Sequence, residues 1–399
     1  MEPREILARL AELGTPPDSD SALRLSVGLD QTIERFREET LPFVADGGAE
    51  LQFVFAPYGR GKTHLLRTLQ AIARQRGFAT AYVDGRSGQP PFASLEETYR
   101  VVAGNLVPAG NSSALAHQSG PEAIIEEAVC SVTPVRAKQC LSDLSRDNHL
   151  ATDYRNLASA YFRAVTNDGH RGTHGSDLGA LLRAHQTTRV RVSDLYRSHP
   201  WLPRPIGKLG RRNASSWLRS LGSLPMSLGY PGLVILFDET EQSHSTQHLT
   251  SRRRRLHLAN LRNFVDHMAV GDFRGCVIYY AVVEEFLETA KIELEALSQR
   301  IERITLGTAN GLRNPRATWV NLDELTIPSP GSDAFYDLLG DRITNIGVEA
   351  GISPHARRLL SKRLRDRSAH FSSSINVGAV REFVKLAASL VAQEVSLHG

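Results

Sequence analysis

The sequence predicts an α/β fold: a parallel sheet that carries a helical insert and ends in a C-terminal helical module. Three observations carry this expectation. Residues 51–83 read strand, glycine-rich turn, helix, strand, and such a βαβ unit forces parallel pairing. Leu233–Phe237 (LVILF) is wholly apolar, as a strand buried on both faces must be. Cys276–Val283 (CVIYYAVV) repeats that pattern.

The elements follow in order. Ile6–Leu13 is a short amphipathic helix, stopped by Gly14 and Pro16–Pro17. Leu29–Phe43 gives a second helix, with Ile33, Phe36 and Leu41 near helical spacing, and Gly47–Gly48 breaks the chain. Residues 1–50 thus form an N-terminal helical segment. Leu51–Ala56 is a strand. Lys62–Gln75 is a helix with Leu65, Leu66, Leu69, Ile72 and Ala73 on one face, and Ala79–Val83 is the next strand.

Residues 93–230 are mostly helical and irregular, with Asn105–Gly120 and Asn167–Ser176 as loops. This is an insert within a core spanning 51–325. After Leu233–Phe237 come a helix over Arg254–Met268, the strand Cys276–Val283 and a helix over Glu284–Ile301. Residues 320–326 include a short apolar–polar alternation. Residues 326–399 form the C-terminal lid, helical over Asp333–Glu394.

The chain has 399 residues, 41% hydrophobic and 23% charged, which excludes a disordered protein. The net charge of +4 is too small to name a nucleic-acid partner. Of the 47 basic residues only six are lysine, so a functional lysine stands out while any single arginine does not. Cys130, Cys140 and Cys276 are isolated and fit neither a metal site nor a disulfide framework. The scattered histidines lack ligand spacing, so no zinc site is expected. No apolar run approaches the ~18 residues of a membrane span, and the N-terminus lacks the apolar core of a signal peptide. A cytoplasmic protein is expected.

The strongest chemical signal is Ala56-Pro57-Tyr58-Gly59-Arg60-Gly61-Lys62-Thr63. It follows a strand and opens a helix, which is the context of a phosphate-binding loop. Gly59 and Gly61 let backbone N–H groups turn toward phosphate oxygens, and the helix start adds its positive dipole end. Lys62 would bridge the β and γ phosphates of ATP, and the Thr63 hydroxyl would ligate Mg²⁺. Ala56 replaces the first glycine of the pattern, where small size matters more than positive φ. His64, grouped with the loop, packs at the helix start rather than doing chemistry.

The second signal is the acid pair Asp238–Glu239 at the carboxyl end of a buried strand, where open α/β sheets bind ligands. Asp238 would hold Mg²⁺ through water, and Glu239 would act as general base on the attacking water. Two basic features have blander readings. Arg252–Arg255 reads first as a solvated helix start, ahead of a nucleic-acid or subunit contact. In the basic stretch 189–219, base stacking by Trp201 and Trp217 competes with core packing of Trp217–Leu218, and core packing is the stronger reading.

The two motifs together resemble a P-loop ATPase of AAA+ type, in its initiator and STAND-like branch. That resemblance implies further residues. Val27-Gly28-Leu29-Asp30 looks like the segment that borders the adenine pocket. Ser298–Ile304, with Arg300 and Arg303, is similar to the segment carrying an arginine finger, and Val380-Arg381-Glu382-Phe383 is similar to the sensor-2 position of the lid. The sensor-1 site departs from the pattern, with Tyr280 the only nearby hydroxyl. More closely, the Tyr58–His64 context, Trp217-Leu218-Arg219, the Gly229-Tyr230-Pro231-Gly232 lead-in and Asn314-Pro315-Arg316 resemble the BrxD-like ATP-binding family of BREX phage-defence systems over nearly the whole chain. What this implies is a homo-oligomeric ATPase acting with other defence proteins and with DNA. The alternative is a nucleotide-gated scaffold or DNA-binding regulator with little turnover.

Overall fold

The structure is a computed structural model that describes residues 1–57, 59–85, 92–109, 119–168, 173–184, 190–238, 251–293, 295–297, 299, 319–329, 332–373 and 378–398. The described strands are β1 (Ala49–Phe55), β2 (Ala79–Asp84), β3 (Leu106–Val107), β4 (Leu233–Asp238), β5 (Cys276–Val282) and β6 (Trp319–Asn321). They form one sheet in the order β3-β2-β4-β5-β1-β6. Every pair is parallel except β2 with β3, where a two-residue edge strand runs antiparallel. The fold is therefore α/β with a mostly parallel sheet.

Helices α1 (Pro3–Leu13), α2 (Ser19–Arg24), α3 (Asp30–Arg35) and α4 (Leu41–Ala45) precede β1. The sequence reads Leu29–Phe43 as one helix; the structure inserts a π-turn over Phe36–Thr40, which lets both Phe36 and Leu41 reach the core. α5 (Lys62–Gln75) follows β1 and α6 (Leu95–Gly104) follows β2. Between β3 and β4 lie α7 (Pro121–Cys130), α8 (Pro134–Arg146), α9 (Thr152–Asp168), α10 (Thr173–Arg183), α11 (Val192–Ser198) and α12 (Ala214–Ser227). α13 (Ser251–Ala269) joins β4 to β5, α14 (Glu284–Glu293) follows β5, and α15 (Leu322–Leu325) follows β6. The chain ends in α16 (Asp333–Glu349), α17 (Pro354–Ser372) and α18 (Ala379–His398).

Strand alternation divides the buried residues between the two faces of the sheet. Phe53, Ala81, Ile235, Phe237, Ile278 and Tyr280 share one core with the insert helices. Val54, Tyr82, Leu236, Val277, Tyr279 and Ala281 share another with Leu65, Leu66, Leu69 and Ile72 of α5 and with the segment around Phe36 and Leu41. A third cluster joins the two ends of the chain: Ile6, Leu7 and Leu10 of α1 pack against Tyr336, Ile343, Phe383 and Val391 of α16 and α18. The sequence gives α1 an apolar stripe but not its partner, which lies more than three hundred residues away.

From β1 the chain crosses beyond β5 and β4 to reach β2, whereas from β5 it crosses past β1 to β6. Right-handed crossovers in opposite directions run over opposite faces, which opens a crevice at the carboxyl ends of these two strands. Among the described residues, no helix is long and apolar enough to cross a membrane.

In the insert, Trp217 is fully buried, with ring centroids 5.5 Å from Tyr99 and 5.2 Å from Tyr154. Its Nε1 donates to Asp153 Oδ2 at 2.9 Å. Trp201 is half exposed. Core packing is thus what Trp217 does. Trp217→Ala is expected to lose about 3–5 kcal/mol, read as a lower urea midpoint. Trp201→Ala should stay within about 0.5 kcal/mol of the parent.

Candidate functional site

The glycine-rich loop leaves β1 at Phe55 and enters α5 at Lys62. Gly59 and Gly61 take left-handed φ values of +75° and +97°. A Cβ at Gly61 would meet nothing within 4 Å, so backbone conformation rather than space selects glycine there. The first N–H groups of a helix have no acceptor within it, and among the described residues no side chain caps α5. Its positive end is therefore electrostatically suited to an anion. Lys62 is buried, and its Nζ donates to the carbonyl of Ala56 at 2.7 Å and of Pro57 at 3.4 Å. Arg60 pairs with Asp323 of α15 at 3.8 Å, which ties the loop to the segment after β6.

The last residue of β4 is the buried carboxylate Asp238. Thr63 Oγ1 donates to its Oδ1 at 3.2 Å across 175 residues of sequence. Its Oδ2 accepts from the Tyr82 hydroxyl. Burial, and then the Asp238 charge, push the Tyr82 phenol well above its ordinary range, so it stays protonated and remains a donor. The Arg67 guanidinium lies 3.4 Å over the Tyr82 ring and lowers that pKa in part. Tyr82 and Arg67 belong to the site's architecture but not to either motif. The missing signal was register: β2 pairs with β4 so that Tyr82 opposes Leu236 and Asp84 opposes Asp238, on the face toward α5.

His64 is half-buried, and desolvation holds its imidazole down at about 4. It is neutral near pH 7 and adds no charge at the helix start.

Beside the loop lies an open cleft. Gly59, Arg60, Gly61, Lys62, Thr63 and His64 form one wall. The chain's two ends form the others. Val27 and Leu29 come from the N-terminal segment, Phe335 and Leu339 from α16, and Val380, Arg381 and Val384 from α18. The glycine-rich loop with its buried ammonium on one side thus faces apolar side chains on the other. Arg381 is exposed within this cleft, and its stem and carbonyl approach Gly14 so closely that a Cβ there would fall 2.5 Å from Arg381 Cγ.

Other expected residues take other positions. Ala56 is fully buried below the loop, where its carbonyl holds Lys62. Gly28 stands behind the cleft wall, its carbonyl accepting from Ile327 N–H at 2.8 Å. Tyr280 packs among Phe53, Phe237, Phe92 and Phe286 on the sheet face opposite α5. Tyr58, Glu239, Arg300 and Arg303 lie outside the described residues.

The donor set fits a metal-bound phosphate. A hydroxyl and a buried carboxylate meet at 3.2 Å, beside a buried ammonium and an uncapped helix start.

Comparison with known proteins adds an identity to this geometry. The family model for the BREX system ATP-binding protein BrxC/D matches residues 2–190 and 206–375. The match covers most of the chain, and the chain belongs to that family. No curated protein and no solved structure matches it.

Tyr82→Phe removes the donor to a buried carboxylate while keeping the ring. It is expected to lose about 1.5–3 kcal/mol of stability in urea unfolding. A variant as stable as the parent would mean that Asp238 does not depend on the phenol.

Proposed function

We propose that this BREX-family chain binds ATP with Mg²⁺ in the cleft and hydrolyses it, on a P-loop core of AAA+ type. The observation that carries this reading is the meeting of Lys62, Thr63 and Asp238 at the uncapped start of α5, facing an apolar wall. The N–H groups of Gly59–His64 and the Lys62 ammonium hold the phosphates. Thr63 and Asp238 hold Mg²⁺, which when bound neutralises charge on the phosphates. Val27 and Leu29, flanking Gly28, offer apolar surface to the base.

Glu239 takes a proton from water as the water oxygen attacks the γ-phosphorus. The bond from phosphorus to the ADP oxygen breaks, and inorganic phosphate leaves. Arg381 reaches the γ-phosphate from the helical side, so the position of α18 reports which nucleotide is bound. Arg300 or Arg303 acts as a finger on a neighbour's nucleotide, which makes a homo-oligomer the working unit. The protein serves in the cytoplasm as part of an anti-phage defence system, with other defence proteins and DNA as partners.

One observation favours a second reading, a nucleotide-gated scaffold or DNA-binding regulator that barely turns over. The carboxyl end of β5 offers Tyr280, Ala281 and Val282, all buried, and Tyr280 turns away from α5 into an aromatic cluster. No polar side chain of the usual kind stands there to orient the γ-phosphate.

Two substitutions separate these readings. Lys62→Ala should weaken ATP binding by about 10- to 100-fold, the worth of a charged hydrogen bond. Glu239→Gln should keep binding and lose about 100-fold or more in turnover. Unchanged ATP binding in Lys62→Ala would refute the site itself. Intact binding with negligible turnover in both the parent and Glu239→Gln would select the second reading.

A further inference from the structure

Among the described residues, the strongest unassigned charge lies on α17. It carries Arg357, Arg358, Lys362, Arg363, Arg365 and Arg367, all exposed, against one acid, Asp366. Only a single i, i+4 row is buried: Ala356, Leu360, Leu364 and Ser368. Most of the helix circumference therefore faces solvent. Asp341 of α16 takes Arg365 at 3.1 Å. Among the described residues, the other five cations have no ion-pair partner.

The basic stretches that the sequence brings forward differ in this respect. Arg254 and Arg255 both pair with Glu293. Arg197 pairs with Asp194, Arg211 with Glu96 and Arg219 with Asp272. Local acids answer those five charges, although Arg191 and Arg212 of the same stretch have no ion pair among the described residues; on α17 five of six cations lack one.

Arg358 and Lys362 form an i, i+4 row opposite the buried row, at the helix crest; Arg363 and Arg367 form another on one flank, and Arg357 lies on the other flank. A helix seated in the major groove of B-form DNA meets phosphates of both strands on its two flanks, and the groove is about 12 Å wide. Guanidinium forks match phosphate oxygens. A membrane surface would need an apolar face, but the apolar row of α17 is turned inward and Leu359 is the one large apolar side chain it exposes.

We propose that the outer face of α17 is a contact surface for double-stranded DNA, meeting phosphates through Arg358 and Lys362 at its crest and Arg363 and Arg367 on one flank. The proposal rests on the DNA part of the reading above and is independent of its ATP chemistry.

The test is fluorescence anisotropy of the full chain with a labelled DNA duplex over a salt series. The quadruple variant R358Q/K362Q/R363Q/R367Q should show a log–log salt slope shallower by about 3–4 than the parent, since each lost phosphate contact removes about 0.9. Its affinity should fall by about tenfold or more at low salt. R197Q/R211Q, which neutralises an ion-paired patch, should bind as the parent does. Far-UV circular dichroism and the urea midpoint of the same samples report that the quadruple variant is folded. Parental affinity and slope in the quadruple variant, with the parent binding duplex, would overturn the surface and leave the DNA reading standing. A parent that ignores duplex DNA, including one that instead binds anionic vesicles or self-associates through these four residues, would overturn both.

Discussion

The arrangement depends on one buried carboxylate. Asp238 ends the central strand β4 almost without solvent. An ionised carboxyl in that position is very costly unless hydrogen bonds replace its water. Thr63 supplies one from the start of α5, and Tyr82 supplies another from β2. Both donors require long-range structure. Tyr82 reaches Asp238 only in the observed β2–β4 register, and Thr63 reaches it only if α5 lies across the sheet with its N-terminus over the crevice. A one-residue slip of β2 would turn Tyr82 to the other face. The same residues that stabilise the buried charge therefore set the loop, the helix start and the acidic strand end at one point.

The cleft adds a second constraint. One wall is the glycine-rich loop and the start of α5, but the other walls come largely from the first thirty residues and the last helices, which share one apolar cluster. Arg381 packs on Gly14, the left-handed residue that ends α1, and Ile327 is hydrogen-bonded to Gly28. The N-terminal segment is thus the strap between the sheet and the C-terminal helices. A ligand held between loop and α18 would bias how these two parts sit, which is the physical basis for reading the cleft as a switch. The basic helix α17 belongs to that same C-terminal part, so any change there is also felt at its outer surface.

Much of this was legible in the sequence because the signals were local. LVILF and CVIYYAVV are apolar at every position, as strands covered on both faces are, and both lie in the sheet. The glycines at 59 and 61 sit between a strand and a helix, and the structure gives both positive φ. What was not legible was non-local. The stripe of α1 shows a face but not the partner it packs on. Tyr82 reads as an ordinary strand aromatic until its neighbouring strand and register are known. The π-turn at Phe36–Thr40 shifts the helical phase over a few residues, below what an apolar pattern resolves. The exposed cations of α17 are inconspicuous in a chain with 41 arginines, and become notable only once they are seen together on the outer face of one helix.

The central claim is that the start of α5, Lys62 and the Thr63–Asp238 pair form one anion and metal site facing the cleft. A crystal structure of the chain with Mg²⁺ and a non-hydrolysable ATP analogue tests it most directly. The account predicts phosphate oxygens at the N–H groups of Gly59–His64, the metal beside Thr63 and Asp238, and the base against Val27 and Leu29. Nucleotide bound elsewhere, with the cleft empty and Lys62 still on the Ala56 carbonyl, would contradict it.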